Sequence, residues 1–307
     1  MKTAKVFLGL VIAAVLGAQT LQIEGPISGF VFDERNASLR PIVGLPGAAY
    51  LGDALIGEVA WASVAPGGRS ALVLKEGALF LVTGLRGPAP AWARVSGAEV
   101  VPERAVWSEE GSLALIYSTA TGAAQRIRRL TGVPVADEPV RLTGAGALAV
   151  DSEGRVIAGM PEGVFLLGHD GASALLPGLH AVAIAVTGAN LLIAGSNGEI
   201  WRIHNYASEA SPELLTAVED PVGIALSQDQ KYLLVAGRAE RAVLIYELSA
   251  RVLAARLAAD AEPTTLARLG DADLWLVRSG GGPSDPLLVL KTTPEPGIWF
   301  VPAGKGE

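Results

Sequence analysis

The sequence contains no cysteine. That absence excludes a disulfide framework, thiolate nucleophiles and cysteine-held metal. It also removes the anchor point for a lipid at an N-terminal cleavage site. Histidine is nearly as scarce, with only His169, His180 and His204 in 307 residues. No two of them have zinc-motif spacing, and no G-x-S-x-G segment occurs, so neither common route to hydrolysis is visible. Basic clusters are missing too. The formal charge is −7, and −9 without Lys2 and Lys5. An acidic chain of this kind argues against nucleic acid and against electrostatic docking on anionic lipid.

Long apolar runs are confined to one place. Val6 to Leu16 is almost unbroken, preceded by Lys2 and Lys5 and followed by Gly17-Ala18. This is the pattern of a secretory signal peptide over residues 1–18, too short to span a bilayer comfortably. An uncleaved N-terminal anchor is the alternative. Residues 19–307 are then expected to form a single domain, exported to the periplasm or beyond, with no transmembrane segment. Although 50% of residues are hydrophobic, later apolar stretches are short, as in Ala181 to Val186 and Leu233 to Ala236. Aromatics make up only 6%, too few for the girdles of an outer-membrane barrel.

What is present is a repeat. A small-residue apolar strand, a tight turn and further strands return along the chain. The turn reads Ala65-Pro66-Gly67-Gly68-Arg69, Ser108-Glu109-Glu110-Gly111-Ser112, Asp151-Ser152-Glu153-Gly154-Arg155 and, degraded, Ser227-Gln228-Asp229-Gln230-Lys231. Copies at Val186-Thr187-Gly188 and Leu269-Gly270-Asp271 keep the strands. The residues before these turns are Val64, Trp107, Val150, Val186, Leu226 and Leu269, at intervals of 43, 43, 36, 40 and 43, with a mean of 41. Units of this length fit four-stranded propeller blades, and the 289 residues after the leader hold about seven of them.

One unit shows all four strands: Val222 to Leu226, Tyr232 to Ala236, Ala242 to Leu248 and Val252 to Leu257. Innermost strands are buried on both faces and so read as continuous runs such as Val182-Ala183-Ile184-Ala185-Val186. The fold class is therefore all-β, a seven-bladed propeller. A six-bladed ring with an extra N-terminal hairpin is the alternative. The seventh anchor is expected near residue 22, with Gly29 to Asp33 and Leu39 to Val43 pairing with Ile298 to Val301 to close the ring.

The segment Ser227 to Leu257 resembles the repeat of YVTN-type propellers, and Gly195 to Ile203 has NHL-type character. Gln230 stands where that family prefers glycine, and Gly237-Arg238 replaces its Ala-Asn. The whole chain is similar to exported bacterial propeller proteins of uncharacterised role. The resemblance implies a propeller fold and export, and no reaction.

Candidate chemistry is thin. Gly144-Ala145-Gly146-Ala147-Leu148-Ala149 fits GxGxxA, but a turn follows at Asp151 where a dinucleotide site needs a helix. Ser279 to Pro283 lacks a phosphate-loop lysine and reads as a turn. The turn acids Glu109, Glu110, Asp151, Glu153 and Asp229 belong to separate blades. Trp61, Trp107, Trp201, Trp275 and Trp299 are expected between blades, and Trp92 near an outer edge. The strongest constellation is in the links from outermost to next innermost strand. These carry Glu103, Glu138, Asp220 and Glu262, with His180 in another link. A ring would gather them at one channel mouth, where they could hold a divalent cation or act as general acid and base. No catalytic residue and no organic cofactor is expected. The leading functional expectation is a monomeric, non-catalytic scaffold for a protein, peptide or carbohydrate partner. A metal-assisted hydrolase or lactonase-like enzyme is the alternative, and a structural role in an envelope assembly is a third.

Overall fold

A computed structural model describes residues 25–168, 171–270, 273–282 and 285–302, with backbone alone at 279–282 and 285–286. The leader, the anchor position near residue 22, His169 and Pro283 lie outside the described residues.

Seven sheets follow one another along the chain. The first holds β1 (Ile27–Asp33), β2 (Ser38–Val43) and β3 (Tyr50–Leu51). The second holds β4 (Trp61–Val64), β5 (Ser70–Lys75), β6 (Ala78–Thr83) and β7 (Ala91–Arg94). The third holds β8 (Arg104–Trp107), β9 (Ala114–Ser118), β10 (Ala123–Arg128), β11 (Val135–Ala136) and β12 (Val140–Arg141). The fourth holds β13 (Ala147–Val150), β14 (Val156–Met160), β15 (Gly163–Gly168) and β16 (Gly171–Pro177). The fifth holds β17 (Ala181–Thr187), β18 (Asn190–Gly195), β19 (Glu199–His204) and β20 (Ser211–Ala217). The sixth holds β21 (Pro221–Leu226), β22 (Tyr232–Gly237), β23 (Ala242–Glu247) and β24 (Val252–Ala258). The seventh holds β25 (Ala267–Leu269), β26 (Leu274–Gly282), β27 (Asp285–Lys291) and β28 (Gly297–Val301).

Each sheet is an antiparallel meander. Five of the six repeat anchors end the innermost strand of their sheet, and Val186 lies one residue from such an end. Strand alternation then explains the ring. Neighbouring residues on a strand point to opposite faces, and here both faces are covered. Phe30 packs against Val73 and Val82 of the second sheet, while Val31 packs with Leu274 and Val289 of the seventh. Leu191 and Ile193 join the fourth sheet's Ile157 and Val164, while Leu192 joins Leu233 and Val235 of the sixth. The remaining buried clusters bridge sheets two and three, three and four, and six and seven. Every successive pair of sheets shares a core, the seventh with the first included. The protein is a seven-bladed β-propeller.

Closure differs from the expectation. Ile298 to Val301 belongs to β28, which pairs with β27 and completes the seventh blade. Among the described residues the seam is instead made by side-chain packing and by one backbone bond, Leu51 N–H to the Pro302 carbonyl at 2.9 Å. Blade one also runs differently. Innermost strands elsewhere run from the link end of the ring to the end carrying the glycine turns. β1 starts at that turn end: a methyl built on Gly29 would lie 3.1 Å from Leu269, the last residue of β25. It finishes at the link end, where Val59 N–H, just before β4, bonds the Ala37 carbonyl at 2.9 Å. β1 therefore occupies a second-strand position.

Candidate functional site

A channel of about 710 Å³ runs along the axis between the innermost strands. Its walls are the small apolar residues that made the repeat legible, including Ala147 to Val150, Val182 to Val186 and Val222 to Leu226. Small side chains are required because the inner strands converge. A methyl built on Gly223 would lie 2.6 Å from the Leu266 backbone nitrogen. At the formal GxGxxA segment the chain enters β13, a strand, so no helix N-terminus meets a pyrophosphate there.

The link end does not gather the predicted acids into one cluster. The Glu103 carboxylate accepts from Ser118 Oγ at 3.1 Å, from Thr119 N–H and Ala120 N–H at 3.2 Å each, and from the Thr119 hydroxyl. It caps the β9–β10 turn of its own blade. Asp220 takes a left-handed backbone (φ 43°) and pairs with Arg238 Nη1 at 3.5 Å, again a turn of its own blade. Glu262 is exposed, and its backbone carbonyl accepts from Arg278 at 2.7 Å. His180 is exposed, and its ring lies by Gly146, where a built methyl would meet Nε2 at 3.1 Å.

Glu138 is not in a link at all. β11 and β12 both pair with β10 and form one outer strand interrupted at residues 137–139. The interruption has a cause in Asp137, whose carboxylate takes Arg126 at 2.6 Å and Arg128 at 2.5 Å, ahead of Pro139. The true link to blade four begins after Arg141. Among the described residues, no three His, Asp or Glu side chains converge as metal ligands would. What the ring does bring together at this end is Arg104, whose Nη1 donates to the Gly146 carbonyl at 3.4 Å, with His180 beside the same glycine.

At the turn end, Asp151 is 3% exposed in its side chain and belongs to a clamp between blades four and five. Its carboxylate accepts from the Tyr206 hydroxyl at 2.7 Å, from Arg155 Nε at 2.6 Å and from two backbone N–H groups. Burial alone would raise the Asp151 pKa, but the hydrogen bonds from Tyr206 and Arg155 outweigh it and hold the group below the ordinary range. Burial and the neighbouring Asp151 carboxylate push the Tyr206 hydroxyl well upward. Between blades five and six, Glu213 accepts from Arg202 at 2.6 Å, from His204 at 3.1 Å and from Arg251. Hydrogen bonds from Arg202 and His204 bring its pKa down to about 2.

Sequence reasoning passed over the charge inside the channel itself. The lining acid is Glu109, already accepting from Gly188 N–H at 3.3 Å, whereas the lining cations are Arg104 and Arg268. A signal existed, since Arg268 interrupts an innermost strand where blades four to six carry no charged residue. The tryptophans divide as expected. Trp61, Trp107, Trp201 and Trp275 contact inter-blade cores, and Trp299 is half-buried in β28. Trp92 is 43% exposed and meets Phe80 edge-on at 5.6 Å.

No protein-family model matches the chain, and no curated protein matches it. Solved structures do. A functionally unknown protein from Desulfotomaculum acetoxidans DSM 771 aligns with a TM-score of 0.63 at 12% identity, covering 90% of this chain and 99% of that one. The β-propeller domain of Cps50 (Swd1) from Myceliophteria thermophila gives 0.57 at 13% identity, covering 83% and 93%. A chain of a mitotic checkpoint complex gives 0.57 at 10% identity, covering 100% and 91%. At such identities the likeness is one of fold: this chain shares the closed ring of blades.

Proposed function

We propose that this protein is an exported, monomeric, non-catalytic propeller scaffold that binds a protein, peptide or carbohydrate partner across its link-end face. The basic start and apolar run of residues 1–18 support export. The Ser227 to Leu257 blade supports a YVTN/NHL-type repeat. The binding reading is carried by the construction of the link end. Glu103 and Asp220 are tied to turns of their own blades, and the Glu262 backbone is held by Arg278. Each link is thus fixed in place with exposed groups around an open channel. In the link that holds Glu103, Val101 is 65% exposed. Such a rim offers preorganised polar groups and an apolar contact, which is what an interface needs.

The test is capture from native envelope extract by the wild type beside a Val101→Glu/Glu262→Lys variant, followed by titration with the purified partner. A partner retained by the wild type and lost by the variant supports the reading. A partner held equally by both would move the interface off the link end. Failure to retain any partner would contradict the scaffold role.

A further inference from the structure

We infer that the central channel is a binding site for an elongated alkyl carboxylate, its chain along the apolar walls and its head at Arg268 near the turn end. This rests on the reading of the ring as a binding scaffold but uses the channel rather than the link face. Four observations carry it. The channel, about 710 Å³, is in the range of small-molecule sites. Its length follows the inner strands, which run from three residues in β25 to seven in β17, or roughly 10–23 Å at strand rise, so a linear ligand fits better than a compact one. Arg268 is half-buried in the wall, and among the described residues no carboxylate pairs with it. Trp275 also lines the channel and is 8% exposed, and its indole N–H is buried with no acceptor.

Arg268 and Trp275 are direct cross-strand partners on β25 and β26, so their side chains leave the same face of the sheet. The Arg268 guanidinium presents a planar fork of donors that matches both oxygens of one carboxylate, and the Trp275 ring supplies an apolar surface beside it. A cation would meet the opposite. The one acid in the lining, Glu109, is already bonded to Gly188, which leaves the channel with surplus donors and positive charge.

Three ligands with one chain and different heads provide the test: dodecanoate, dodecan-1-ol and dodecyltrimethylammonium, titrated below their aggregation limits. Binding is read by calorimetry and by tryptophan fluorescence, since Trp107 and Trp275 both line the channel. Dodecanoate is expected to bind at least tenfold more tightly than the alcohol, and the ammonium least. Arg268→Leu should bring dodecanoate down to the alcohol's affinity while leaving the alcohol unchanged. Arg268→Lys, which keeps the charge, should lie between and guards against a folding artefact. Equal affinity for all three heads, indifference to Arg268→Leu, or no binding of dodecanoate would overturn the assignment. Partner capture at the link face, measured on the same protein, separates this failure from failure of the scaffold reading.

Discussion

At the turn end of the ring, Asp151 is buried and takes hydrogen bonds from Tyr206, Arg155 and two backbone amides. At the link end, Asp220 is half-exposed and has one longer ion pair, 3.5 Å to Arg238. Both are aspartates beside a strand of an inner hairpin, yet only the first ties two blades together. Tyr206 comes from blade five, and Arg126 of blade three donates to the Gly154 carbonyl in the same blade-four turn. The turn end therefore holds the blades in order, while link-end carboxylates are satisfied within their own blade. The link end is joined across blades through backbone carbonyls instead, Glu103 accepting from Trp61 Nε1 at 3.2 Å and Gly146 from Arg104 at 3.4 Å. This leaves its exposed side chains free to carry recognition.

The contrast is easiest to break at Asp151. Asp151→Ala leaves the Tyr206 hydroxyl and the Arg155 guanidinium without their acceptor, and should cost about 3 kcal/mol in chemical denaturation. Gly223→Ala sharpens the comparison from the other side, because the link end is constrained by backbone approach rather than by ion pairs. Its new methyl would press on the Leu266 backbone, and a loss of about 2 kcal/mol is expected. By contrast Asp220→Ala should change stability by less than about 0.5 kcal/mol in the same measurement. An Asp220→Ala loss matching that of Asp151→Ala would erase the distinction between the two ends.

Acid titration sharpens it further. Asp151 and Glu213 both have pKa values depressed in the folded state, Glu213 to about 2. A depressed carboxylate adds stability above its unfolded pKa and loses it as pH falls through the folded one. Denaturant midpoints should thus fall from the ordinary carboxylate range downward, and the fall should be shallower in Asp151→Ala and in Glu213→Gln. A slope unchanged in both variants would show that neither clamp is formed.

The repeat was legible because the inner strands converge on an axis and are dominated by small apolar residues, which marks blades two to seven by similar anchors. All six anchors lie in innermost strands, at their ends or, for Val186, one residue short. Blade six was readable strand by strand to within a residue at each end, since its turns keep their polar residues. Glu138 misled because Asp137 and Pro139 break an outer strand with the same residues that terminate a link. Pairing of the chain's two ends was misjudged for another reason. Strand alternation shows which faces are apolar but not which sheet covers them, so packing of blade one on blade seven looked the same as strand exchange. Arg268 was missed by weighing the acids in the links and passing over the cations in the inner strands, Arg104 and Arg268.

The seam between blades seven and one is the most direct measure of the closed ring. The chain has no cysteine, so Tyr50→Cys and Phe300→Cys can be spin-labelled without background. Leu51 bonds Pro302 across the seam, which puts the two labels within roughly 25 Å, tethers included, given 3.8 Å between successive Cα atoms. The closed ring predicts one narrow distance distribution in that range by double electron–electron resonance. A broad distribution centred beyond about 40 Å, the separation expected if the ends do not meet, would contradict it.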